Sequence, residues 1–311
     1  MRVASYSSEL VTAWNDFVGR SKNGTFLFHR SYMEYHADRF ADCSLMVLGA
    51  DDQIVAVLPA SRRKDVLVSH EGLTYGGFVS TEEMTTGRML DVFEASLEHV
   101  RDAGINQVVY KCVPHLYHSL PAEEDGYALF RLGAVLTRRD VSSAIDTRVV
   151  PPLRDRRRRA LRKAERSGLR VEESTDFSHF WPLLEQNLHE RHGRRPVHSL
   201  EEIELLAQRF PQNIRLFRTL AGETTLAGVV LYVSTHVCHV QYSAASEEGR
   251  ECGAQDLALT TVLDLFRFTH RYIDLGISTE QAGQFLNEGL IDYKEGFGAR
   301  AVNYDTYQLS L

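Results

Sequence analysis

The turn Arg250-Glu251-Cys252-Gly253 falls between an apolar run, VCHVQYSAAS, and an amphipathic stretch, DLALTTVLDLFRF. A strand-to-helix turn of this composition suits phosphate. Glycine lets the backbone approach, the helix start offers free N–H groups, and arginine adds charge. An ordinary helix start would read the same way, so both readings stand. Seven histidines, His29, His70, His189, His192, His198, His236 and His239, lie in segments able to face a cleft. An imidazole with pKa near 6.5 can take a proton from an ammonium or relay it through water. His70 stands out because Ser69–Gly77 is a polar, glycine-rich loop within an otherwise apolar region, and functional residues concentrate on such loops. The two glycines after Tyr75 point to close approach of a ligand or of another backbone. His70 is therefore the candidate base and Tyr75 a candidate contact; a tight turn needing positive φ is the alternative. Asp274 and Glu280 close an apolar run at a position where α/β sheets present polar groups to ligands. They are candidates for orienting an amine or binding hydroxyls, against a satisfied core carboxylate and a loop cap. No HExxH, Cys–His cluster or Asp-x-Asp repeat is present, so no metal is expected. The four cysteines form no CxxC pair, which argues against zinc and disulfides and for a reducing compartment.

The elements that must position these residues occur twice. Trp14-x-x-Phe17 recurs as Trp181-x-x-Leu184, and Arg39-Phe40 before SLMVLGADDQIVAVLP recurs as Arg209-Phe210 before IRLFRTLAGETTLAGVVLYV. Thr74-Tyr75-Gly76-Gly77 matches Gln241-Tyr242-Ser243-Ala244, Leu90–Phe93 matches Leu263–Phe266, and Leu132-Gly133-Ala134 matches Phe297-Gly298-Ala299. The order is kept and the offset stays within 165–173 residues. Each copy reads as helix, β-hairpin, third strand, helix, strand and further strand. The fold class is α/β with mixed sheets, in two tandem domains, 1–150 and 151–311. After Pro151-Pro152, a helix from about Leu153 to Ser167 closes at Gly168.

A net charge of −7 with 43% hydrophobic residues describes a soluble globular chain and excludes a generally basic nucleic-acid binder. With no apolar leader and no run of about 18 apolar residues, the chain is expected to be cytoplasmic and without a membrane span. Against that background, Arg154–Arg166 carries eight cations and two acids. It is either a solvated basic helix or a surface for phosphates, an acidic carrier protein or tRNA. Aromatic interleaving, the mark of single-strand binding, is missing from it.

Arg250–Gln255 matches most of an acyl-CoA pyrophosphate motif, and Tyr293-Lys294-Glu295-Gly296-Phe297-Gly298 resembles a terminal lysine-plus-FG signature. RRRRALRKAERSGLRV is similar to the basic helix that opens a second domain. Together these resemble tandem GCN5-related N-acetyltransferase (GNAT) domains of the FemAB-like kind, over nearly the whole chain. Gln255 departs from the Gly or Ala of that motif, and the long coiled-coil arm of the aminoacyl-tRNA-dependent cell-wall members is absent. The resemblance extends to smaller relatives that acylate nucleotide-linked amino sugars.

It implies that acyl-CoA, either acetyl-CoA or a short hydroxyacyl-CoA, lies on the C-terminal domain. Ser243, Ala244, Arg250, Gly253 and Ala254 would bind it, with Val240–Ala245 offering backbone N–H groups to the thioester. Lys294 would stabilise the oxyanion, with Tyr242 a further catalytic candidate beside His70. The acceptor would be a dTDP- or UDP-linked amino-deoxyhexose used in surface polysaccharide or lipopolysaccharide biosynthesis. His29 and Tyr35 would contact it from the N-terminal domain, and Arg191 and His192 would lie at the cleft between domains, against a solvated cationic helix end; Tyr75, Asp274 and Glu280 remain the further substrate candidates named above. The amine would attack the thioester directly. An aminoacyl-tRNA-dependent FemX-like peptidyltransferase and a non-catalytic binding module are the alternatives. An acyl carrier protein or tRNA is a candidate partner of the basic helix.

Overall fold

The computed structural model describes residues 1–149 and 151–311, except for the side chains of Arg191 and His192. The chain divides into two units, one of residues 1–141, 279–285 and 303–311, the other of residues 142–278 and 286–302.

In the first unit, Arg2–Ser5, Leu45–Leu48, Ile54–Leu58 and Val79–Ser80 form an antiparallel sheet in that spatial order. The helix Thr86–Asp102 starts where Thr85 Oγ1 accepts from the Arg88 N–H, the N-cap that relieves one orphan donor. It lays Met89, Val92, Phe93 and Val100 against Leu45, Val47, Leu58 and Val108, the 3.6-residue periodicity that the sequence shows. A small hairpin, Ser61–Arg63 with Val66–Val68, places Val66–Val68 parallel to Gln107–Lys111. The third strand expected near Thr74 is instead a loop, followed by the short Val79–Ser80. Its glycines explain why: a Cβ on Gly76 would lie 1.9 Å from the Ser69 carbonyl oxygen, and Gly77 has φ +86° against the Tyr110 ring. The close approach is to protein, and the loop is pinned by Lys111 Nζ, which donates to the carbonyls of Leu73 and Glu71.

In the second unit the strand order is Arg170–Ser174, Ile214–Ala221, Thr224–Val233, Val237–Ala245, Tyr272–Ile277, then residues 142–146. The first four run antiparallel and the fifth runs parallel to the fourth. The helix Ala254–Phe266 covers one face, burying Ala258, Leu259, Val262 and Phe266 with Phe217, Val229, Leu231, Cys238, Val240 and Ile273. Trp181–His192 packs on the strand Val237–Ala245 through the Trp181–Tyr242 edge contact and Asn187 Nδ2, which donates to the Ala245 carbonyl. The basic helix spans Asp155–Arg166 and ends at Gly168, φ +67°. Helices Glu124–Arg131 and Glu288–Glu295 stand at matching places in the two units, each followed by a left-handed glycine, Gly133 and Gly298, and a long strand.

Candidate functional site

Val237–Ala245 and Tyr272–Ile277 pair only over Val237, Cys238 and His239, opposite Tyr272, Ile273 and Asp274. Beyond His239 the first strand continues against Thr224–Val233 alone. It carries a bulged residue, Gln241, between the pairs Val230–Tyr242 and Leu231–Val240. A bulge bends its strand and re-aims side chains, so the sheet forks at His239. From Val240 onward one strand edge has no partner from Tyr272–Ile277. Gln241 Oε1 and, on the first turn of the following helix, Gln255 Nε2 are buried and unpartnered.

At the fork the fully buried Asp274 organises its surroundings. One of its oxygens, Oδ2, lies 2.8 Å from Nδ1 of the His239 imidazole. The other accepts from Ser142 Oγ at 2.5 Å and from the Gly276 N–H at 3.0 Å. A side chain on Gly276, φ +79°, would touch the His239 ring. Lys294, on the helix Glu288–Glu295, donates from Nζ to the carbonyls of Gly276 and Ile277, both at 2.7 Å. Burial lowers the Lys294 pKa to about 8, with the Asp274 carboxylate pulling the other way. An ammonium has three donors, and these bonds use two of them. Tyr242 is engaged elsewhere: its hydroxyl lies 2.6 Å from His198 Nδ1, and burial pushes its pKa up to about 12.

The turn after the strand is built by close approach. Ser246 Oγ accepts from the Gly249 N–H, capping the short helix Glu247–Cys252. Gly253 then takes φ +83°, and a Cβ there would lie 2.3 Å from the Ala160 carbonyl oxygen on the basic helix. That helix is locked beside the turn by Arg157. Its guanidinium donates to Asp256 at 2.7 Å and lies 4.4 Å from the Tyr293 ring centroid; Arg157 and Asp256 are both buried. Exposed Arg156, Arg159, Arg162, Lys163 and Arg166 line the same helix. Arg250 is exposed too, and donates from Nη1 to the Ala245 carbonyl at 2.6 Å, tying the turn to the end of the forked strand. Ser243 is exposed, whereas Ala244 and Ala254 are buried. Cys238, behind the fork, has its thiol pushed up by burial, which suppresses the thiolate needed for acyl transfer through sulfur.

Residues 153–295 match the acetyltransferase (GNAT) domain family. The enzyme class is N-acyltransferase. Among solved structures, FemX is similar over 100% of this chain and 98% of its own, with TM-score 0.71 and 13% identity. L-PGS from Bacillus licheniformis gives TM-score 0.62 at 12% identity, covering 97% and 91%. A tandem GNAT protein from the clavulanic acid biosynthesis pathway gives 0.53 at 12%, covering 99% and 98%. At these identities the likeness is one of fold. No curated protein matches the sequence.

The remaining sequence candidates fall in the first unit, Arg191 and His192 excepted, whose side chains lie outside the described residues. His70 has φ +40° and is buried beside His36, ring centroids 5.2 Å apart. Burial, reinforced by His36, lowers its pKa to about 3, a poor value for a base at neutral pH. Tyr35 stacks on His36 at 4.2 Å, and Tyr75 OH lies 3.2 Å from Thr25 Oγ1. His29 is half-buried, with its pKa lowered by burial. Glu280 is half-buried on the short strand Thr279–Glu280. Among the described residues, no group of three His, Cys, Asp or Glu could hold a metal ion, and no helix is long and apolar enough to cross a membrane. Ser142 was not among the sequence candidates, and His239 was one of seven histidines. The available signal was that His239 and Asp274 each sit mid-strand in an apolar run, where a polar residue demands a partner.

Proposed function

We propose that the protein transfers an acyl group from acyl-CoA to a primary amine, with the donor on the second unit. The fork at His239, followed directly by the Gly253 turn, carries this reading. It offers unpaired strand edge for a thioester arm and the free N–H groups of Ala254–Phe266 for the pyrophosphate. Gln241 Oε1 and Gln255 Nε2, unpartnered within the chain, would meet the donor's polar groups. Arg250 adds charge at the turn, and Lys294 supplies a donor to the tetrahedral oxyanion. We further propose that the acceptor is an amino sugar on a dTDP or UDP carrier. The exposed cations of Asp155–Arg166 favour a second reading, in which the acyl group arrives on a polyanionic carrier such as aminoacyl-tRNA.

A thermal-shift panel of acetyl-CoA, CoA, dTDP, UDP and tRNA separates the two, because a ligand that binds only the folded state raises its melting temperature. Stabilisation by CoA species and one nucleotide supports the first. Stabilisation by tRNA alone replaces it with the second.

A further inference from the structure

On the donor reading above, on which this step rests, we propose that His239 is the base that takes the proton from the attacking amine. Asp274 and Ser142 are positioning residues for its imidazole.

The hydrogen bonds dictate the tautomer. An ionised carboxylate only accepts, and Asp274 meets Ser142 Oγ–H, the Gly276 N–H and the His239 ring. The ring nitrogen facing it is Nδ1, so Nδ1 carries the proton and Nε2 keeps the basic lone pair. Asp274 is fully buried and the His239 side chain is 12% exposed, so the carboxylate is withdrawn from solvent while the imidazole keeps some exposed surface. His239 is also the last residue of the parallel pairing, at the apex of the fork where the thioester would lie. Asp274 on the neighbouring strand contacts the ring, and Lys294 holds the Gly276 carbonyl.

The step balances without another reactant. The neutral amine nitrogen attacks the thioester carbonyl carbon, forming the C–N bond and placing the carbonyl electron pair on oxygen, beside Lys294. Nε2 removes one proton from the now cationic nitrogen. When the carbonyl re-forms, the C–S bond breaks with its electrons going to sulfur. The imidazolium then returns the proton to the thiolate, giving an amide and a thiol.

The test has binding, labelling and turnover arms. Acetyl-CoA binding is measured by calorimetry. Modification by diethyl pyrocarbonate is followed by mass spectrometry at His239, with exposed His189 as the internal standard. We expect acetyl-CoA to protect His239 but not His189, and Asp274→Asn to slow modification at His239 at least fivefold. In turnover of acetyl-CoA with a panel of nucleotide-linked amino sugars, His239→Ala should lose about a hundredfold or more in kcat. Its KM for acetyl-CoA should stay within threefold, and imidazole should restore part of the rate. His239→Gln, which keeps a donor for Asp274, controls for folding. No binding of acetyl-CoA overturns the donor reading and the role of His239 with it. Binding without protection of His239, or a His239→Ala kcat within threefold of wild type, overturns that role and leaves the donor reading standing.

Discussion

Replacing Lys294 by methionine separates a functional lysine from a merely structural one. The methionine side chain is of similar length and keeps the apolar contacts of the stem, but it removes the charge and the two bonds to the Gly276 and Ile277 carbonyls. Lys294 falls from 10.5 to about 8 on folding. At about 1.4 kcal/mol per pH unit, holding it charged at neutral pH costs about 3 kcal/mol. Losing a donor costs each carbonyl roughly 1–3 kcal/mol, so at pH 7 the two effects nearly cancel and Lys294→Met should change stability little. The folded-state pKa lies below the unfolded one, so between about pH 8 and 10.5 the unfolded state binds the extra proton. Wild-type stability therefore gains from rising pH across that window, while the variant lacks this contribution. The stability difference, measured by urea unfolding at pH 7 and pH 10, should move by about 2–3 kcal/mol in favour of wild type. A difference that does not change with pH refutes the claim that Lys294 is held charged at a cost. Activity gives the other half: kcat should collapse in Lys294→Met, and a kcat near wild type removes Lys294 from the chemistry.

In wild type, the same lysine should make kcat decline as pH rises through about 8, well below the ordinary lysine range; a profile flat to pH 10 contradicts this. Arg250→Ala should raise KM for acetyl-CoA about tenfold with little change in kcat, as loss of a charged phosphate contact worth about 1.4 kcal/mol would. An unchanged KM moves the donor phosphates away from Arg250. Gly253→Ala must place a Cβ 2.3 Å from the Ala160 carbonyl oxygen at φ +83°; left-handed strain alone costs about 1–2 kcal/mol, so the melting temperature should fall and acetyl-CoA affinity with it. Arg157→Met strands Asp256 in the core and should cost about 3–5 kcal/mol, partly recovered in the double variant with Asp256→Leu, as denaturant unfolding will report.

Local patterning was enough to specify most of the elements and their order. The hairpins, the paired helices, the helix before Gly168 and the glycines before each last strand follow from periodicity and backbone permissiveness, which nearby residues decide. The Arg250–Gly253 turn was legible for the same reason. Which side chains meet is a matter of long-range packing. Ser142, His239 and Asp274 stand on three different strands, and their contact depends on the parallel register of Val237–Ala245 with Tyr272–Ile277 and on where that pairing stops. Periodicity carries no information about register between distant strands, so the apolar run around His239 showed that it needs a partner but not that the partner is Asp274. His70 shows the same limit: its glycine-rich loop reads as close approach of a ligand or of another backbone, and only the packing shows that at Gly76 the neighbour is the Ser69 backbone and that the ring is buried. Arg157 likewise looked like one cation in a basic run, until packing against Asp256 and Tyr293 made it the residue that fixes the helix beside the Gly253 turn.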